Sequence, residues 1–252
     1  MGDLRGDVIS RERFDAVLLD MDGVLTDTAR VHASAWKRMF DEFLRARAAR
    51  GGGESFVPFD IETDYKHHVD GKPRYDGVRD FLRARGIMLP EGGPEDPPQA
   101  QTVHGLGNRK DQLVNEVIAS EGVRVFPGSV AVLERLRGAG IKTAVVTSSQ
   151  NRARVLEVAG LSSLFDAAVD GHTIVERGLA GKPAPDMFLE AARVLGVAPA
   201  RAVVIEDAIS GVEAGARGGF GLVIGVARHG NARELAAHGA QQVVSELGEL
   251  MR

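Results

Sequence analysis

The stretch Phe14-Asp-Ala-Val-Leu-Leu-Asp-Met-Asp-Gly-Val-Leu-Thr-Asp-Thr28 decides how the rest of the chain is read. Ala16 to Leu19 is an apolar run of the length of a buried strand, too short for an ordinary helix. It stops at two carboxylates one residue apart, Asp20 and Asp22, with Gly23 directly after them. Two acids so placed repel each other and resist desolvation, which favours a cation between them or chemistry on one of them. An Asp-rich turn is the alternative, because Asp and Gly are frequent turn residues. Taken alone, the stretch fits both.

Beyond residue 125 a regular alternation begins. Helical segments near Ser129 to Gly138, Arg152 to Gly160, Asp186 to Gly196, Gly211 to Gly218 and Ala232 to His238 separate strands at 142–147, 167–170, 202–206 and 221–226. Strands alternating with helices predict a parallel sheet with crossover connections, and the 16–20 strand joins it by composition. Between lies a helical stretch. It has apolar side chains at helical spacing from Val31 to Leu44 behind a capping Asp27 or Thr28, and further helices at about 76–85 and 108–120. Gly51-Gly52-Gly53 reads as a flexible connection and Pro90 to Gln101 as an exposed, mobile loop. The expected architecture is an α/β core of residues 1–28 and 123–252, with a helical unit, 29–122, inserted after the first strand.

The 252 residues are 44% hydrophobic and 26% charged, enough for a buried core. A net charge of -4 gives no reason to expect nucleic acid or an anionic membrane as partner. With no cysteine, disulfides, thiolate metal sites and cysteine nucleophiles are excluded. Met1 to Arg13 is polar and unlike a signal peptide, and no apolar run approaches the roughly 20 residues that span a bilayer, so the expected location is cytoplasmic.

Polar residues gather at the predicted strand ends: Asp20 and Asp22 after the first, Thr147-Ser148-Ser149 after the 142–147 strand, and Glu206-Asp207 after the 202–205 strand. Gly181-Lys182-Pro183 stands just before a helix. In a parallel sheet these ends share one edge, so acids, hydroxyls and a lysine converge there. That set offers oxygen ligands for Mg²⁺, donors for phosphate and a carboxylate nucleophile. Each part has a plainer reading: a polar loop for the hydroxyls, a solvated surface lysine, an N-cap for Glu206-Asp207. Their coincidence at successive strand ends favours the chemical one.

These motifs resemble the haloacid dehalogenase-like phosphatases and phosphotransferases: Asp20 to Val24 is similar to the family's first motif, Val146-Thr147-Ser148 to its second, Lys182-Pro183 to its third and Ile205-Glu206-Asp207 to its fourth. Gly181 to Asp186 and Glu206 to Gly215 further resemble the β-phosphoglucomutase subgroup. The resemblance implies a Rossmann-like parallel sheet core with a helical cap domain, a Mg²⁺ cofactor, and a phosphorylated sugar as substrate for a monomer or weak dimer. It implies Asp20 as nucleophile, Asp22 as general acid and base with a backbone carbonyl toward Mg²⁺, and Asp207 and Glu206 at the metal. It places Gly23, Thr147 and Ser148 at the phosphoryl group and Lys182 as the neutralising cation.

In the cap, His32 and Trp36-Lys37 stand where the subgroup presents such residues. Gly71, Lys72 and Arg74 resemble a loop that grips the substrate's distal phosphate, with Lys110, Ser149 and Asn151 as further contacts. The sequence departs from the subgroup at Gln150, where lysine is frequent, at Asp70, and in the insertion at 90–101. A second metal site at His67-His68 is not expected, because adjacent histidines rarely share a face. The expected activity is a phosphosugar mutase, with a phosphatase as the alternative because the core motifs serve both. A phospho-acceptor module without catalysis is the reading from another class, but such domains are about half this length and have no cap.

Overall fold

Ala16–Leu19 is strand β1, and all four of its side chains are fully buried. A computed structural model describes residues 8–50, 55–228 and 230–251. They fall into two compact units, one holding the residues up to Asp27 with those from Val123 on, the other Thr28–Gly122. The predicted connection at Gly51 to Gly53 lies outside the described residues.

The 28–122 unit is built from helix α1 (Ala29–Ala49), a π-helical segment (Ile61–Val69), α2 (Arg74–Ala84) and α3 (Val103–Glu121). α1 buries Trp36, Met39, Phe40, Phe43 and Leu44, the three- and four-residue spacing of one helix face. Phe40 lies at ring-centroid distances of 4.1 Å from Phe81 and 5.2 Å from Phe59, so aromatic packing ties α1 to α2 and to the segment between. Buried Asp41 accepts the Phe59 N–H at 2.8 Å, and Lys37 donates to both Asp41 and the Phe59 carbonyl. Lys37 is thereby a structural clamp. Thr28 occupies the N-cap position of α1 without a side-chain capping bond.

α3 starts five residues before the expected position, because the Thr102 hydroxyl caps it by accepting the Gly105 N–H. Pro90 to Gln101 is irregular, as expected, but it is stitched to α3. Asn108 Nδ2 donates to the Pro94 and Asp96 carbonyls, Thr102 Oγ1 to Asp96 at 2.5 Å, and the Val103 N–H to the Pro90 carbonyl.

The chain returns through α4 (Pro127–Gly138), β2 (Lys142–Val146), α5 (Arg152–Val158), β3 (Ala167–Val169), α6 (Gly171–Arg177), α7 (Asp186–Leu195), β4 (Ala202–Glu206), α8 (Ile209–Arg217), β5 (Leu222–Val226), α9 (Ala232–Ala237) and β6 (Gln242–Val244). All neighbouring strands pair parallel in the order β3-β2-β1-β4-β5-β6, with Ala16 opposite Lys142 on one side and Ala202 on the other. β1 is therefore central and its run is apolar on both faces, the pattern of a parallel strand covered by helices. One core cluster joins Ala16, Leu18, Ala144, Val146 and Val204 to Met187, Phe188 and Ala191 of α7. Truncating Leu18 to Ala there should cost about 2–5 kcal/mol. No helix among the described residues is long and apolar enough to cross a membrane.

The parallel order puts the residues that follow β1, β2, β4 and β5 on one edge of the sheet. This is the Rossmann-like core expected from the sequence. Helices surround it, and the helical segment 28–122 is inserted after β1.

Candidate active site

Asp20 leaves β1 with its backbone still in the sheet, its N–H donating to the Ile205 carbonyl at 3.0 Å. Its side chain is buried and meets Lys182, whose Nζ donates to Asp20 Oδ1 at 2.5 Å, to Glu206 Oε1 at 2.5 Å and to the Val146 carbonyl at 3.0 Å. One ammonium thus joins the ends of β1, β2 and β4. Burial holds the Asp20 carboxyl well above the usual carboxylate range, Lys182 opposes that rise, and Glu206 and Asp22 add to it. Burial by itself would lower the Lys182 pKa, but the two carboxylates outweigh it and raise the value, so Lys182 stays charged.

Glu206 is fully buried. Its Oε2 accepts the backbone N–H groups of Asp207 and Ala208 at 3.0 and 3.1 Å, which leaves Oε1 on Lys182. Capping of α8 is not its role, since the N-cap is Ala208. Gly211 lets the first turn of α8 close over this carboxylate, because a Cβ there would lie 1.8 Å from Glu206 Oε1.

Asp22 is turned elsewhere. Thr147 Oγ1 donates to Asp22 Oδ2 at 3.2 Å and accepts the Ser149 N–H at 3.1 Å. The hydroxyl therefore folds the loop after β2 around itself and holds Asp22 in one step. Ser149 Oγ accepts the N–H of Asn151, the N-cap residue of α5, at 3.1 Å, while Ser148 Oγ lies 3.8 Å from Met187 Sδ. Gly23 has φ +87°, and a Cβ on it would stand 1.8 Å from Asp207 Oδ2. Glycine is needed there both for the backbone and for the acid beside it.

Asp20, Glu206 and Asp207 each offer a carboxylate oxygen, all within 4.8 Å of one another. Hard oxygen donors converging on one point suit a divalent cation such as Mg²⁺. The Asp22 side chain is not in this group.

Within the 28–122 unit, His32, Trp36 and Lys110 come together. Lys110 Nζ lies 2.7 Å from His32 Nδ1 and 5.1 Å from the centre of the Trp36 ring. Arg74 forms an ion pair with Asp111 at 2.8 Å. Lys72 follows Gly71 (φ +68°) and is engaged at home, donating to Asp80 Oδ2 at 2.5 Å and to the His67 carbonyl at 3.0 Å. His68 sits 3.5 Å from the same Asp80, and His67-His68 joins no group of metal-ligating side chains among the described residues.

Arg228, two residues past β5, was not singled out by any motif. Its Nε donates to the Gly23 carbonyl at 2.8 Å and its guanidinium lies 3.5 Å from the centre of the Phe126 ring. Burial pulls its pKa down from the ordinary value, against the attraction of Asp207, Glu246 and Asp27. The signal that could have found it is positional: the end of β5 shares the edge with the other strand ends.

Comparison with known proteins places this geometry. The family profile described as haloacid dehalogenase-like hydrolase matches residues 14–219. The chain is 51% identical over 243 residues to the beta-phosphoglucomutase of Mycobacterium bovis, covering 95% of this chain and 92% of that protein. It is 30% identical over 218 residues to hexitol phosphatase A of Escherichia coli, covering 84% and 82%. A hydrolase structure from Pseudomonas syringae superposes with a TM-score of 0.74 at 22% identity, covering 94% of this chain and 96% of that one, a likeness of fold. Strand-end acids bridged by a buried lysine, on the fold these relatives share, make this chain a member of the haloacid dehalogenase-like hydrolase family.

Proposed function

We propose that the protein is a Mg²⁺-dependent phosphosugar mutase, converting a hexose 1-phosphate to the 6-phosphate through an aspartyl-phosphate on Asp20. The observation that carries this is the division of the acid pair. Asp20 is buried on Lys182, and Asp22 is held apart by Thr147 at 3.2 Å. One acid is paired with a cation, as a nucleophile for an anionic phosphate requires, and the other is positioned to move a proton. The 51% identity to a beta-phosphoglucomutase supports the sugar phosphate as substrate.

In the phosphorylated enzyme Asp22 takes the proton of the sugar 6-hydroxyl as that oxygen attacks phosphorus. The bond from phosphorus to Asp20 breaks and its electron pair returns to the carboxylate. The bisphosphate then turns end for end. Asp20 attacks the phosphorus on the 1-oxygen, and Asp22 returns its proton to the oxygen that leaves. Lys182 favours the ionised form of Asp20 against the effect of burial, and Thr147 with the Ser148 amide steadies the transferring oxygens. Mg²⁺ held by Asp20 and Asp207, with Glu206 beside them, would neutralise charge on the phosphoryl oxygens. We assign Arg74, Lys110, His32 and Trp36 of the 28–122 unit, the cap, to the substrate's sugar and distal phosphate. Ser149 and Asn151 of the core are assigned to phosphate binding, and Gly71 with Lys72 to the substrate.

A phosphatase acting on a small sugar phosphate is the second reading, favoured by the identity to hexitol phosphatase A. There water replaces the 6-hydroxyl. The test is incubation with β-glucose 1-phosphate, Mg²⁺ and a trace of glucose 1,6-bisphosphate. Formation of glucose 6-phosphate is expected, and release of phosphate without it would overturn the mutase reading.

A further inference from the structure

The turn that carries Asp22 and Gly23 is tight, with the Gly23 N–H donating to the Thr26 carbonyl at 2.7 Å. One side of it touches Asp207, since no Cβ fits between Gly23 and that carboxylate. Its carbonyls face Arg228, which donates from Nε to Gly23 O at 2.8 Å and from Nη2 to Val24 O at 3.4 Å. The guanidinium is backed by the Phe126 ring, and Phe126 is itself tied to the turn, its N–H donating to the Leu25 carbonyl at 3.0 Å. Val24 O also accepts from the buried Ser129 hydroxyl at 2.6 Å, so the Val24 end is anchored independently and the Gly23 end is where Arg228 acts. Three residues on, Asn231 Nδ2 donates to the Asp207 carbonyl at 3.3 Å. Arg228 and Asn231, after β5, therefore reach the loops of both acids.

We propose that Arg228 is a positioning residue of the active site. By binding the Gly23 carbonyl it fixes the Asp22 turn against Asp207, and so sets the spacing of the carboxylates that hold the metal. The proposal rests on the reading of this site as a Mg²⁺ phosphoryl-transfer centre. A planar fork suits the task, because it satisfies two successive carbonyls while lying flat on an aromatic face. Losing a partner that orients the ligands from outside the set typically weakens metal binding roughly 10–100-fold.

Arg228→Met removes the donors and charge but keeps a side chain on Phe126, and Arg228→Lys keeps the charge. Calorimetric titration of the full chain with Mg²⁺ alone should show binding weakened roughly 10–100-fold in Arg228→Met, with Arg228→Lys between it and the wild type. Turnover of β-glucose 1-phosphate should fall through kcat, with KM moving by less than about threefold, because the sugar is held elsewhere. Melting in EDTA checks that the variant is folded. Should Arg228→Met fail to fold, Arg228→Lys is read the same way. Wild-type Mg²⁺ affinity in a folded variant overturns the proposal, as does a loss of activity only in proportion to unfolded protein. A wild-type chain that binds no Mg²⁺ overturns the reading of the site as well, which separates the two failures.

Discussion

Replacing Lys182 with Met deletes an ammonium whose side chain is 0% exposed and leaves Asp20 and Glu206, at 9% and 1%, facing each other without it. Methionine keeps most of the length, so the loss is electrostatic rather than a cavity. Removing one partner of a buried ion pair costs about 3–5 kcal/mol. At roughly 2–4 °C per kcal/mol for a chain of this size, the variant in EDTA should melt roughly 6–20 °C below the wild type. The deficit has a pH dependence of fixed sign. Burial raises the Asp20 pKa and Lys182 opposes the rise, so without the lysine it climbs further. The folded variant then holds a proton that the unfolded chain has released, and stability falls as pH rises from the ordinary Asp value near 4 toward the raised one. Scanning calorimetry in EDTA between pH 5 and 8 should find the smallest gap at the acid end. Melting within about 2 °C of the wild type at pH 8, or a gap that widens toward pH 5, would refute the view that Lys182 compensates a buried acid pair.

Gly23→Ala forces a Cβ to within 1.8 Å of Asp207 Oδ2 at a φ of +87°. It should cost about 1–3 kcal/mol in urea unfolding and weaken Mg²⁺ binding in calorimetry, and wild-type values in both would contradict the close approach. Asp170, after β3, accepts the His172 and Thr173 N–H groups at 3.0 and 3.1 Å and the Arg152 Nε at 2.8 Å. Burial would raise its pKa, but Arg152 and Thr173 outweigh it and hold it below the usual value. Its contribution is thus complete above about pH 4 and is lost as pH falls through the depressed value. Asp170→Ala should cost roughly 2 kcal/mol at neutral pH by urea unfolding, the gap narrowing in acid, and a gap independent of pH would show that the charge is idle.

The sheet and three of its strand-end clusters were legible because buried parallel strands are short unbroken apolar runs and their carboxyl ends are abrupt. Asp20, Lys182 and Glu206 were found as separate motifs. Their union on one ammonium was not, because only the register of β1 between β2 and β4 brings them within 2.5 Å. β6 escaped notice because Gln242-Val-Val244 is a three-residue edge strand with little apolar length. α6 did carry a signal, the capping box of Asp170 with Thr173, but at seven residues it lacks a helical stripe to match it. The π-helical Ile61–Val69 was invisible to a search at 3.6 residues per turn, its Asp70 N–H reaching back five residues to the Tyr65 carbonyl. The bond of Lys72 to Asp80, eight residues on, carried no sequence signal.

The central claim is that Asp20 carries the phosphoryl group. It is tested by acid-quenching the enzyme after mixing with radiolabelled glucose 1,6-bisphosphate and mapping the label by mass spectrometry. An acid-stable, hydroxylamine-labile label on the peptide containing Asp20 is expected in the wild type. It should form and decay more slowly in Asp22→Ala, where proton transfer is lost in both directions, and be absent in Asp20→Asn. Label on another residue, or turnover retained in Asp20→Asn, would contradict it.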